Sequence, residues 1–108
     1  MYVYLISSEI NNEKLYKIGI TRREVKKRLK ELKTGNPASL KIVEIFESEY
    51  GTKIESQIHK LYSFKKIGGE WFELENEDIV NFISICKKIE HNLKLLSNNT
   101  YIVDRGYI

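Results

Sequence analysis

Nine basic residues, Lys14, Lys17, Arg22, Arg23, Lys26, Lys27, Arg28, Lys30 and Lys33, share the segment from Lys14 to Lys33 with two acidic ones, Glu24 and Glu31. That segment is about +7 in a chain whose formal net charge is +3, so the remainder is close to −4. A positive block of this density is the electrostatic footprint of a phosphate-rich partner, because each neutralised phosphate releases condensed counterions. The same composition also serves as a solvated helix face. Downstream, Glu55 and His59 stand four residues apart, which on a helix puts both side chains on one face. A carboxylate is the hard oxygen ligand that magnesium prefers, and an imidazole one turn on can contact a metal or a phosphate. Each has a plainer reading. Glu55 follows Thr52 by three residues, the spacing of a capping box in which the glutamate reaches back to the helix N-terminus. A lone histidine on a helix is commonly a satisfied structural residue, and Cys86, on an apolar helical stripe, reads as core rather than nucleophile.

The elements that must position these side chains follow from periodicity. Tyr2 to Ser7 and Tyr16 to Thr21 are β-branched and aromatic with turn chemistry at Asn11-Asn12 between them, which predicts an opening β-hairpin. Thr21 and Glu24 match a capping box, and Val25, Leu29 and Leu32 recur at helical spacing with the basic residues largely off that stripe. Gly35 supplies a helix stop and Asn36-Pro37 a turn, after which Leu40 to Ser48 reads as a third strand. A second helix, opened by Thr52, buries Ile54, Ile58 and Leu61 and carries Glu55, His59 and Tyr62 on a neighbouring face. Gly68-Gly69 breaks the chain, and Trp71-Phe72-Glu73-Leu74 is a short apolar patch, a strand or a docked loop. From Asn76 a single helix keeps Ile79, Phe82, Ile83, Cys86, Ile89, Leu93 and Leu96 on one stripe. The order predicts an α/β sandwich with a three-stranded, mostly antiparallel sheet flanked by helices and a long C-terminal helix. Residues 1–96 form one domain in this reading, and 97–108 a tail that adds a strand or serves as an arm for a homo-oligomer.

Composition excludes several classes. With 42% hydrophobic residues, 31% charged residues and one proline among 108, the chain has the make-up of one ordinary globular domain. Its apolar runs are too short for a membrane span, and Met1-Tyr2-Val3-Tyr4 does not open a signal peptide. One cysteine makes neither an internal disulfide nor a cysteine-cluster zinc site, which fits a reducing, cytoplasmic setting. The glycines lack the spacing of a Walker or dinucleotide-binding fingerprint.

Tyr2-Val3-Tyr4-Leu5-Ile6 followed by Tyr16-Lys17-Ile18-Gly19-Ile20-Thr21 resembles the GIY-YIG nuclease superfamily. The likeness continues through Arg28-Leu29, Thr34-Gly35-Asn36-Pro37, Ile54-Glu55 to His59, and Gly69-Glu70-Trp71-Phe72. It covers about residues Tyr2 to Leu74 and is nearest the phage-encoded DNA-binding branch, of the meiotically up-regulated-gene type. The resemblance implies a metal-dependent endonuclease with Tyr4, Lys17 or Tyr16, Arg28 and Glu55 around one phosphate of a DNA partner. Glu55 would hold magnesium or manganese, Arg28 would clamp the non-bridging oxygens, and Tyr4 with Lys17 would activate water. Tyr16 and His59 would support them, while Arg22, Arg23, Lys26, Lys27 and Lys30 would hold the nucleic-acid backbone.

The departures are specific. The second motif reads Lys17-Ile18-Gly19, and alternation turns the displaced Tyr16 to the other face of its strand. Leu32 stands where many members place a histidine or tyrosine, and Glu70-Trp71-Phe72-Glu73 stands where many carry an asparagine. These changes keep open a second reading, a catalytically inactive nucleic-acid or nucleotide-binding module such as a phage counter-defence protein. A protein-interaction domain using its tail is a third. The Glu55 environment separates the first two: an enzyme turns that carboxylate toward Arg28 and Tyr4, whereas a binder can use it on the Thr52 cap.

Overall fold

The computed structural model describes residues 1–98. Strands β1 (Tyr2–Ile10) and β2 (Glu13–Thr21) form the predicted hairpin, and both turn residues, Asn11 and Asn12, take positive φ of 52° and 65°. Two consecutive left-handed residues give the turn whose twist matches the flanking strands, and asparagine tolerates that conformation well. β3 (Ser39–Glu47) pairs with the other side of β1, with a bulge at Val43 where the register steps from Leu5–Glu44 to Ile6–Ile42. The sheet has five antiparallel strands rather than three, in the order β3-β1-β2-β5-β4. The two additions are β4 (Lys66–Gly68), exposed throughout, and β5 (Trp71–Phe72). A three-residue exposed strand and a two-residue strand are too short to show alternation, so only pairing, of β5 on β2 and of β4 on β5, makes them visible.

Alternation along β1 and β2 divides the interior into two cores. On one face Tyr4 and Ile6 pack with Leu40 and with Val25 of α1 (Val25–Lys33), joined by Leu29 and Leu32 of the predicted stripe. On the other, Val3, Leu5, Tyr16 and Ile18 meet Ile54 and Ile58 of α2 (Gly51–Leu61) and Phe82 and Cys86 of α4 (Phe82–Asn98). Cys86 is core, and burial pushes its thiol up to about 12, far from the thiolate a nucleophile needs. No helix among the described residues is long and apolar enough to cross a membrane. Residues 99–108, most of the predicted tail, lie outside the described residues.

Several local expectations are corrected. Neither threonine caps its helix: Thr21 still lies in β2 and accepts a hydrogen bond from the Arg23 amide, and Glu24 occupies the α1 N-cap. At α2 the N-cap is Tyr50, whose amide donates to Ser48 Oγ at 3.0 Å, and Thr52 already lies inside the first turn. Leu61 is exposed while Tyr62 is buried in its place, because the i+4 steps from Ile54 to Ile58 to Tyr62 follow the drift of the apolar stripe. The final helix is two, α3 (Asn76–Val80) and α4, parted at Asn81, and Leu96 at its far end is exposed.

A capping interaction does stand at α3. Asp78 Oδ2 accepts the Glu75 amide at 2.9 Å and the Lys65 ammonium at 2.6 Å. Burial alone would raise the Asp78 carboxyl, but the Lys65 ammonium and the Glu75 N–H outweigh it and hold it below the usual 3.8. A depressed carboxyl stabilises the fold above its unfolded value, and that contribution is lost as pH falls through the folded one. Asp78→Asn is therefore expected to cost about 1–2 kcal/mol at pH 7, with the penalty shrinking below about pH 4, in urea unfolding followed across pH.

Candidate phosphodiester site

Tyr4 and Gly19 lie directly opposite each other on β1 and β2 and share the face that α1 covers. The Tyr4 ring lies so close over Gly19 that a Cβ there would overlap its hydroxyl and ring carbons. Glycine at this position is thus a matter of close approach rather than of turn geometry. From α1, Arg28 Nε points at the Tyr4 hydroxyl across 3.5 Å, and its Nη1 reaches Glu31 at 3.3 Å. Of the nine basic residues in its segment, Arg28 is the one held against Tyr4, because it flanks the stripe that seats α1 on the sheet. The Tyr4 hydroxyl beside it raises the Arg28 guanidinium further, so the cation is permanent.

Lys17 sits two residues before Gly19 and therefore on the same face. Its side chain is 9% exposed, an expensive place for an ammonium without a partner. The partner is Glu70, whose Oε2 accepts the Lys17 proton at 2.6 Å, and the ammonium also stands 5.5 Å above the Trp71 ring. β2 continues beyond β5 here. The Ile18 amide donates to the Glu70 carbonyl at 3.1 Å, and with β5 ended, the Ile18 carbonyl pairs with His59 Nε2 of α2 at 2.8 Å. A carbonyl only accepts, so Nε2 carries a proton, and in the neutral form of the imidazole the lone pair is on Nδ1. Phe72 meets the imidazole edge to face at 4.8 Å and fixes its plane.

One turn before His59, Glu55 Oε2 is buried with no hydrogen-bond partner among the described residues. With Thr52 inside the helix, the carboxylate is released from the capping role. Burial pushes its pKa up; His59 and Lys17 pull it back, and Glu70 adds to the rise. One ligand atom from each of Glu55, His59 and Glu70 lies within 4.8 Å of the others. The side chains thus form a continuous line: Arg28 to Tyr4, Tyr4 over Gly19, Lys17 alongside, then Glu70, Glu55 and His59.

A model of the T5orf172 domain matches residues 1–91. The chain belongs to the T5orf172 domain family. No curated protein and no solved structure matches it. The T5orf172 match spans every strand, α1, α2 and α3, and ends within α4, so it includes each of the side chains just described.

Around this T5orf172 domain's site, α1 presents Lys26, Lys27 and Lys30 to solvent, with Arg22 and Arg23 exposed in the turn before it. Arg23 pairs with Glu31, whereas no carboxylate among the described residues lies within ion-pair distance of Arg22, Lys26, Lys27 or Lys30. Tyr16, as alternation requires, is buried in the opposite core and does not join the line. Glu70 is the residue that sequence reasoning passes over. Fifteen positions separate it from Glu55, no helical or strand period links them, and only the pairing of β5 on β2 carries it to Lys17. The one trace in the sequence is that Glu70 lies in Gly69-Glu70-Trp71-Phe72, one of the stretches on which the family resemblance rests.

Proposed function

We propose that this T5orf172 domain binds nucleic acid, DNA in particular, across α1 and hydrolyses its phosphodiester bonds with a divalent metal, magnesium or manganese, after the manner of GIY-YIG nucleases. The observation that carries this reading is Glu55: a buried carboxylate oxygen with no partner, free of its helix cap, beside the line of Lys17, Tyr4 and Arg28. An orphaned buried acceptor costs stability, and a cation supplies what the protein withholds. A metal held by Glu55 would stabilise charge on the scissile phosphate and acidify water. Arg28 offers a planar fork for the non-bridging oxygens as their charge grows, and it is pre-oriented by Glu31 and the Tyr4 hydroxyl. Tyr4 OH, 3.5 Å from the guanidinium, is the group that would take a proton from the attacking water. Arg22, Lys26, Lys27 and Lys30 hold flanking phosphates without reading bases.

The inactive binding module is favoured by one feature of its own, the engagement of Lys17 by Glu70 where the resembling family has a tyrosine. Incubating plasmid and oligonucleotides with magnesium or manganese, beside binding titrations in increasing salt, separates the two. Arg28→Ala is expected to slow cleavage about 10²–10³-fold while lowering the salt slope of binding by no more than about one phosphate. A steep salt slope in the wild type with no cleavage under either metal would leave the domain as a binder.

A further inference from the structure

We infer that Glu55, His59 and Glu70 together form one metal site, and that its histidine selects a first-row transition ion such as Mn²⁺ or Co²⁺ over Mg²⁺. This deepens the metal-dependent reading above and rests on it for what the metal does, though not for whether it binds. Three independent features converge on the site. Glu55 contributes a buried oxygen with no hydrogen-bond partner among the described residues. His59 donates Nε2–H to the Ile18 carbonyl, the arrangement by which ligating histidines are fixed in tautomer and orientation, and this leaves Nδ1 as the ligand atom. Glu70 has one oxygen on the Lys17 ammonium, which aims the carboxylate, and a second oxygen free of that bond.

Distances decide how much must move. Ligand atoms sharing one first-row ion stand roughly 3–3.5 Å apart, given metal–ligand bonds of about 2.0–2.2 Å. Here they lie within 4.8 Å of one another, so closing the site calls for about 1–2 Å. Glu70 is the member able to supply it, since its side chain is 38% exposed and stands on the short turn before β5, while His59 is locked by Ile18 and Phe72. The donor set then decides the ion. Magnesium takes oxygen ligands and keeps its waters, whereas one imidazole with two carboxylates suits manganese, cobalt and zinc. Lys17 acts as a positioning residue here, holding Glu70 within reach.

The test uses the full 108-residue chain, stripped with a chelator and titrated calorimetrically with MnCl₂ or MgCl₂ alone, without nucleic acid. One Mn²⁺ per chain is expected, at least tenfold tighter than Mg²⁺. Glu70→Gln keeps the side chain's shape and should weaken Mn²⁺ about 10–100-fold in a chain still folded at the titration temperature, though less heat-stable because the buried Lys17 loses its counter-charge, and His59→Ala should abolish the preference for Mn²⁺ over Mg²⁺. Co²⁺ should give a visible d–d absorption that His59→Ala shifts. Equal affinity for the two ions, or Mn²⁺ binding untouched by Glu70→Gln, would overturn the three-ligand site. The two readings fail separately: tight Mn²⁺ binding that depends on Glu70 without any cleavage would sink the hydrolase and leave the site. Cleavage that Glu70→Gln and His59→Ala leave intact would do the reverse.

Discussion

Glu55→Gln is expected to yield a protein that is more stable than the wild type at pH 7 and that no longer cuts nucleic acid. The two halves of that result have one cause. The Glu55 carboxylate is carried into the protein without a hydrogen-bond donor, and burial raises its pKa, with Glu70 adding to the rise against the pull of His59 and Lys17. A carboxyl whose folded pKa lies above its unfolded value favours the fold in its neutral form. That favour is complete below the ordinary 4.5 and is lost as pH rises through the raised value, so the fold bears a cost at pH 7 that it does not bear below 4.5. Glutamine keeps the shape and removes the charge. A gain of about 1 kcal/mol is expected at pH 7, which in a domain of this size raises Tm by roughly 4–8 °C. The gain should vanish below pH 4.5, where the wild-type carboxyl is itself neutral. Cleavage should fall at least about 10²-fold, since the amide cannot replace an anionic metal ligand. Stability that drops in Glu55→Gln while cleavage persists would instead make Glu55 a structural residue. Thermal unfolding at pH 4 and pH 7, beside plasmid nicking, distinguishes these outcomes.

Gly19→Ala is expected to carry the largest penalty to the fold of any single methyl addition in the sheet. Two effects oppose each other. Alanine costs less backbone entropy than glycine in a strand, a gain of about 0.5–1 kcal/mol. Against it stands the Tyr4 ring, 1% exposed, which the new Cβ would overlap at its hydroxyl and two ring carbons. Neither partner can yield, because Tyr4 is wedged among Ile6, Val25 and Leu40 and Gly19 is fixed by its pairing on β1. Overpacking of this kind costs about 3 kcal/mol at the upper end of its usual range, so the clash wins and the net loss is about 2 kcal/mol. The protein that does fold must tilt Tyr4 away from Arg28, so cleavage should fall along with stability. The check is a double-mutant cycle in urea: Tyr4→Ala in the Gly19→Ala background should cost markedly less than Tyr4→Ala alone, because it removes the overlap. Additive losses would mean that the ring and the glycine do not meet.

Local pattern alone determined much of this molecule. Asn11-Asn12 specified the hairpin turn, Val25, Leu29 and Leu32 the seat of α1, and alternation sent Tyr16 to the face opposite Lys17 and Gly19, all from interactions between residues close in the chain. The basic block and the spacing of Glu55 and His59 were legible for the same reason, since charge and helical period are local quantities. Caps were not: Thr52 has the right neighbours for a capping box, but where a helix starts depends on how the preceding loop, here Ser48 and Tyr50, packs on the sheet. β5 gains its identity only from the β2 edge and β4 only from β5, and with them Glu70 arrives beside Lys17. Tertiary structure alone, therefore, decided that Glu55 stands uncapped, that His59 completes the ladder at Ile18, and that Arg28 among nine cations meets Tyr4. Each of these is a contact between residues far apart in the chain, made by pairing and packing that no window of sequence contains.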